Sequence, residues 1–328
     1  MKKLGVIILN WNGRKLLEEF LPGVVRDTVC DEADVVVADN GSTDDSVEWL
    51  REHCPEVKLM VFPENYGFSG GYNRALAGCD YEYIVLLNSD VETTPGWWRP
   101  MLEFMEQNKD VGAVQPKIRS QKNKEFFEYA GAAGGYIDNL GYPYCRGRLF
   151  DRVERDEGQY DGAPADVCWA SGACLMVRRR LYLDLGGLDE NFFAHQEEID
   201  LCCRMQCAGY RVCAITESLV YHVGGASLAQ GNPRKTYLNF RNNLLLLHKN
   251  LPENRGRRFL FLRRLVDTLA LGMYVLKGDF PNARAIIKAH GDFRRMRKNY
   301  PHHPEKDFMR TLPGADRSAL CMRYLPWK

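Results

Sequence analysis

Tyr83-Ile84-Val85-Leu86-Leu87-Asn88-Ser89-Asp90 decides the fold of this chain. An unbroken, β-branched apolar run of this length is the mark of a strand covered on both faces. It ends abruptly in three polar residues that favour a turn. The same grammar recurs upstream. Gly5–Leu9 closes in Asn10, Asp34–Ala38 closes in Asp39, and Val57–Phe62 leads into Asn65. Between these runs the apolar spacing is helical, over 14–25, 42–53 and 69–79, the second opening on a cap-like Ser-Thr-Asp-Asp. Strands alternating with helices predict a Rossmann-like, mostly parallel central sheet with flanking helices. Ligands of such sheets gather beyond the carboxyl ends of the strands, where Asn10, Asp39, Asn65 and Asn88 all fall.

Further along, 97–107 reads as a helix and 111–117 as a strand. Residues 120–165, rich in Gly, Tyr and charge, read as loops with short strands. The apolar stretch 167–177 is expected to return to the sheet. Short helices follow at 179–186 and 199–208, then strands at 210–214 and 218–222. Beyond Gly225 the pattern is helical, punctuated by Pro252, Pro281, Pro301 and Pro304.

The 328 residues, 45% of them hydrophobic, suffice for a large α/β domain with an appended segment. The net charge of +1 argues against a nucleic-acid binder, but it averages two unlike parts. Residues 231–300 hold 16 Lys/Arg against 4 Asp/Glu, and the rest of the chain 28 against 39. The division expected is therefore an α/β body over 1–228 and a basic helical extension over 229–328. The cysteines show no metal or disulfide spacing, and the N-terminal apolar run breaks at Asn10, so a reducing cytoplasm is the simplest compartment.

Five segments carry chemistry. In Asp39–Asp44, a turn after a strand, Asp39 can contact a ribose or base. Asp90 can hold a hard divalent cation at the mouth of a parallel sheet. Residues 64–74, ENYGFSGGYNR, form a glycine-rich loop opening a helix whose N-terminus favours anions. It is neither a Walker loop nor a dinucleotide fingerprint. In FFAHQEEIDLCCR, 192–204, Asp200 and Arg204 have the spacing of a helix-surface pair. Glu197 and Glu198 are better placed to face a cleft, where one could be a general base. His222, after a strand and before two glycines, could complete a metal shell.

In order, VIILNWNG, DNGSTDDS, ENYGFSGGYNRAL, LLNSDV, ASGACLMVRR, GGLDENFF, EEIDLCCR and YHVGGAS resemble the inverting family-two glycosyltransferases of GT-A fold. The nearest-looking branch is that of bacterial rhamnosyl- and galactofuranosyltransferases, and the likeness runs from about Lys3 to Asn250. The resemblance implies that 1–228 is the catalytic domain, with about 1–115 its nucleotide-binding half and 116–228 its acceptor-binding half. It implies that Asn10 and Asp39 line the nucleotide pocket and that Gly70, Asn73 and Arg74 flank the nucleotide and diphosphate. It implies that Asp90, the last residue of an Asp-x-Asp motif, and His222 bind Mg²⁺ or Mn²⁺. Asn88 stands where that motif has its first Asp. Glu198 matches the base, with Glu197 beside it in contact with the acceptor, in place of the usual Glu-Asp pair. The implied partners are a nucleotide-sugar donor, dTDP-rhamnose or a UDP-sugar, and a saccharide or lipid-linked saccharide acceptor in polysaccharide biosynthesis. A nucleotidyltransferase would need a basic Gly-rich loop after the first strand, which Asn10–Gly13 is not. A non-catalytic nucleotide-sugar binder is the other alternative.

Residues 259–276 are apolar but interrupted by Arg263, Arg264 and Asp267. This fits an interfacial helix better than a spanning one. With Arg255, Arg257 and Arg258, these arginines could meet anionic headgroups on the inner face of the plasma membrane. A helical subdomain packed on the catalytic domain, or on a second subunit of a homo-oligomer, is the competing expectation.

Overall fold

The structure, a computed structural model, describes residues 2–138, 140–149, 152–224, 231–301, 304–307 and 309. The first half alternates as the apolar runs predict: β1 (Leu4–Asn10), α1 (Arg14–Thr28), β2 (Ala33–Asp39), α2 (Ser46–His53), β3 (Lys58–Val61), α3 (Gly67–Ala77) and β4 (Tyr83–Leu87). Then come β5 (Val91–Thr93), α4 (Arg99–Gln107) and β6 (Val111–Ser120). The glycine- and tyrosine-rich stretch yields four short strands, β7 (Gly135–Ile137), β8 (Pro143–Cys145), β9 (Arg148–Leu149) and β10 (Arg152–Val153). The sheet resumes with β11 (Ala165–Asp166) and β12 (Cys174–Arg178). α5 (Arg179–Asp184), α6 (Glu197–Cys207) and β13 (Arg211–His222) follow. Three helices close the described chain: α7 (Pro233–Asn250), α8 (Glu253–Leu276) and α9 (Phe280–Met296).

Among the described residues, nine strands form the main sheet in the order β11-β13-β6-β12-β4-β1-β2-β3, with β5 beside β13. The β3-β2-β1-β4 half is parallel throughout. Beyond it the sheet is mixed: β12 runs antiparallel to both β4 and β6, and β13 is parallel to β6. Strand alternation sends side chains to two cores. Ile7, Val36 and Leu86 enter one, and Val6, Ile8, Val35 and Leu87 the other. Burial on both faces is why these runs lack polar residues until their ends.

Some boundaries move for identifiable reasons. The two strands expected at 210–214 and 218–222 are one, β13, whose register shifts between Ile215 and Leu219; that irregularity looked like a break. Its second half pairs with β6 as far as Ser120, lengthening β6. In the stretch 167–177 only Cys174 onward is sheet. Residues 42–45 stay outside α2 because Asp39 and Asp44 bind the backbone N–H groups of Ser42 and Ser46.

The extension packs on the body and on itself. α7 meets α6, α8 and α9, and its Leu244–Leu247 are buried. Two of the arginines expected at a lipid surface are engaged instead: Arg263 is 1% exposed and paired with Asp267, and Arg255 pairs with Asp307. No helix among the described residues is long and apolar enough to cross a membrane. The ten described cysteines are free.

Candidate active site

β1 and β2 are in register to their last pair, Asn10 opposite Asp39, which delivers both side chains to one edge of the sheet. Asn10 Nδ2 donates to Asp39 Oδ2 at 2.9 Å and to Ser42 Oγ at 3.2 Å, and Asp39 Oδ1 accepts Ser42 N–H at 2.9 Å. Both are buried, and Asp39 organises the loop that follows it. Asn40, which sequence reasoning passed over, joins this loop to the next. Its Nδ2 donates to Asn65 Oδ1 and to the Gly67 carbonyl, each at 3.0 Å, while its Oδ1 accepts Tyr66 N–H. α3 approaches β1 so closely that a Cβ at Gly71 would lie 2.6 Å from Leu9.

From the last turn of α3, Arg74 reaches back over the Tyr66 ring at 3.6 Å and donates to the Gly70 carbonyl at 3.0 Å. Its guanidinium stands half-exposed, 3.5 Å from Glu190. Asn73 faces elsewhere. Its Oδ1 accepts Tyr182 O–H at 2.6 Å and Leu188 N–H at 2.9 Å, and its Nδ2 donates to the Leu188 carbonyl. That amide braces the 182–188 turn.

The second constellation forms between β4 and β5, where β5 pairs with the end of β13. Asp90 Oδ1 is 3.1 Å from His222 Nε2, and Asn88 Nδ2 is 3.4 Å from the same nitrogen. Behind the ring stands Glu128, buried, its Oε2 3.6 Å from His222 Nδ1 and held by Ala130 N–H. A Cβ on Gly224, which has φ +67°, would come within 2.6 Å of Glu128. The two carboxylates overcome the penalty of burying a charged ring and push His222 up to about 10. Asp90 responds in the opposite sense: burial favours its neutral form, but His222 holds it below the usual carboxylate range. A hard carboxylate oxygen and an imidazole nitrogen suit Mg²⁺ or Mn²⁺, and an ion held there would displace the ring proton that the two carboxylates otherwise keep. Among the described residues no three His, Cys, Asp or Glu side chains converge as a self-sufficient metal site. The donor set therefore fits an ion that shares its shell with a bound diphosphate.

The third constellation is the first turn of α6. Phe193, His195 and Gln196 all have left-handed φ, at 66°, 69° and 71°. Such conformations cost of order 1–3 kcal/mol each without glycine and persist only where surroundings impose them. Here α7 imposes them. Asn242 Nδ2 donates to the carbonyls of Phe192, Ala194 and His195, and Arg241 to those of Asn191 and Phe192. The twisted segment presents Glu197 and Glu198 to the cleft with one carboxylate oxygen of each buried and unpartnered. Burial pushes Glu198 up to about 7. Burial, with the neighbouring Glu198 charge added, drives Glu197 well above the ordinary carboxylate range. Asp200, one turn on, takes no part in the cleft: it is held by Arg204, Lys249 and Asn250.

A cleft of about 830 Å³ brings Asn88, His222, Glu197 and Glu198 together, with Phe68, Tyr129, Tyr144 and Trp169 among its aromatic lining. Asn10, Asp39, Gly70, Asn73, Arg74 and Asp90 are not on its walls, and Asp90 adjoins it through His222.

The sequence profile described as glycosyl transferase family 2 matches residues 5–182, more than half of the chain. The chain belongs to glycosyl transferase family 2. It is a glycosyltransferase of glycan biosynthesis that uses a nucleotide-sugar donor, and inversion at the anomeric carbon is implied by the family. The matched region holds Asp39 and Asp90, whereas Glu197, Glu198 and His222 lie beyond it. Among curated relatives of this glycosyltransferase is the N-acetylglucosaminyl-diphospho-decaprenol L-rhamnosyltransferase of Mycobacterium tuberculosis. It is 27% identical over 67% of this chain and 75% of its own length. Among solved structures, GalNAc-T7 with UDP, GalNAc and Mn²⁺ matches at TM-score 0.60 and 17% identity. That match covers 75% of this chain and about half, 48%, of the other. S. aureus TarS in complex with UDP-GlcNAc matches at TM-score 0.58 and 16% identity, over 89% and 80% of the two chains. These structural likenesses show the GT-A fold.

Proposed function

We propose that the enzyme transfers a deoxyhexosyl group, with dTDP-rhamnose as the first donor candidate, to a hydroxyl of a lipid-linked saccharide. Glu198 is the base in this reading. The observation that carries it is the Glu198 carboxylate: an unpartnered oxygen, raised to about 7, facing the same cleft as His222 and Asn88. The rhamnosyltransferase relative and its diphospho-decaprenol acceptor support the choice of donor and acceptor.

Asp90 and His222 would hold Mg²⁺ or Mn²⁺, and the ion supplies positive charge against the departing diphosphate. Glu198 takes the proton of the acceptor hydroxyl. The hydroxyl oxygen bonds to the anomeric carbon from the face opposite the leaving group. The carbon–oxygen bond to the diphosphate breaks, its electron pair leaves with the nucleotide, and configuration inverts. Glu197, more deeply buried, orients the acceptor hydroxyl. Asn10 and Asp39 shape the nucleotide side through the loop they hold, and Arg74, reaching back over Tyr66 from the last turn of α3, answers phosphate charge.

Transfer and donor affinity measured side by side for wild type and Glu198→Gln test this. Loss of a positioned base lowers turnover by about 10²–10⁴-fold while donor affinity stays within a few-fold. Transfer at the wild-type rate would remove Glu198 from the base role.

A further inference from the structure

α8 has two faces with different tasks. One lines the cleft: Arg263 stands 3.7 Å over the Tyr142 ring, donates to Asn243 Oδ1 at 2.6 Å and pairs with Asp267 at 2.9 Å. Two residues away, and so about 200° around the helix, Phe261 and Leu265 are 60% and 55% exposed. Leu269, Met273 and Leu276 continue the row at 70%, 58% and 88%. Steps of four, four, four and three residues keep these side chains in one stripe about 22 Å long. Phe280 and Ile287 on α9 are exposed as well. A packed helix of a water-soluble domain ordinarily carries polar side chains outward, and a continuous apolar row there marks a contact surface.

The rim of this surface is cationic. Arg257, Arg258, Arg264, Lys277, Arg284 and Lys288 are exposed around it. Across 253–300 there are twelve Lys/Arg and four Asp/Glu. Of those four acids, Asp267 is buried against Arg263, Asp292 is paired with Arg295, and Glu253 is paired with the rim residue Arg257.

We propose that the outward face of α8 and α9 docks on an anionic lipid bilayer, the helix lying in the interface plane with its apolar row in the acyl boundary and its cations among the headgroups. A second copy of the chain is the poorer occupant. A two-fold contact would set this cationic rim against itself. The proposal goes beyond the sugar-transfer reading and uses none of its residues. Because the opposite face of α8 lines the cleft, docking would bring the cleft within about one helix diameter, roughly 10 Å, of the lipid.

Co-flotation of the full chain with vesicles tests it, using phosphatidylcholine alone and phosphatidylcholine with phosphatidylglycerol, at low and high salt. The expected result is binding to the anionic vesicles that weakens with salt. Leu265→Glu with Leu269→Glu should abolish it, and Arg257→Gln, Arg258→Gln and Arg264→Gln together should cut it by about tenfold or more. Thermal midpoint and donor hydrolysis in solution should stay at wild-type level in both variants, since the changed side chains are exposed. Wild type left unbound by anionic vesicles would overturn the proposal. So would binding indifferent to Leu265→Glu/Leu269→Glu, or a dimer by light scattering that this variant splits while vesicles stay bare.

Discussion

Glu198 gains its chemistry from a conflict between position and charge. Its carboxylate is placed where water is scarce and no donor answers one of its oxygens, so the proton it would lose near pH 4.5 in solution is kept up to about 7. A base must be ionised to act. Transfer should therefore fall as pH drops through about 7, tenfold per unit below it, and level off above; kcat measured from pH 5 to 9 with donor and acceptor saturating checks this. A flat profile would mean another group takes the proton. At this scale the sequence showed where polar residues close the apolar runs, as at Asn10, Asp39 and Asn88. It did not show that the Asn73 amide, on the glycine-rich helix, braces the 182–188 turn. Glu128 was hidden for another reason. It lies in an irregular stretch, and only the fold sets it 3.6 Å from a histidine 94 positions away.

At the scale of elements, the decisive object is the segment entering α6. Three left-handed non-glycine residues within four positions would be a defect if local preference ruled, and no pattern in 193–196 announces them. Asn242 makes them affordable through three carbonyl contacts from a helix nearly fifty positions later. Asn242→Ala strands those carbonyls and should cost about 1–3 kcal/mol in denaturant unfolding. With the Glu197–Glu198 turn loosened, kcat should fall while donor affinity holds; equal loss of both would point to a general collapse. The regular elements were legible because alternating β and α periods write themselves into side-chain choice. The irregular ones were less so: β13 looks like two strands, and the short strands expected within 120–165 had no bounds until the fold set β7–β10.

At the scale of the whole molecule, the charge division near residue 228 separates two compositions, yet side-chain bonds cross it repeatedly. Arg241 and Asn242 hold 191–195, Lys249 and Asn250 hold Asp200, and Arg263 reaches the cleft. Arg263 is the deepest of these crossings, a buried cation whose removal leaves Asp267 facing only Tyr142 and His290. Arg263→Ala should destabilise the protein by about 3–5 kcal/mol, read as a lowered denaturant midpoint. A midpoint unchanged would mean that the α8 packing does not depend on this pair.

The grip of α7 on the backbone ahead of Glu197 also governs how such enzymes can be recombined. A chimera that changes acceptor preference by exchanging 116–228 would inherit the contorted turn from one parent and the asparagine that holds it from the other. The transferable cassette runs on to Asn250, so that each turn travels with its own clasp.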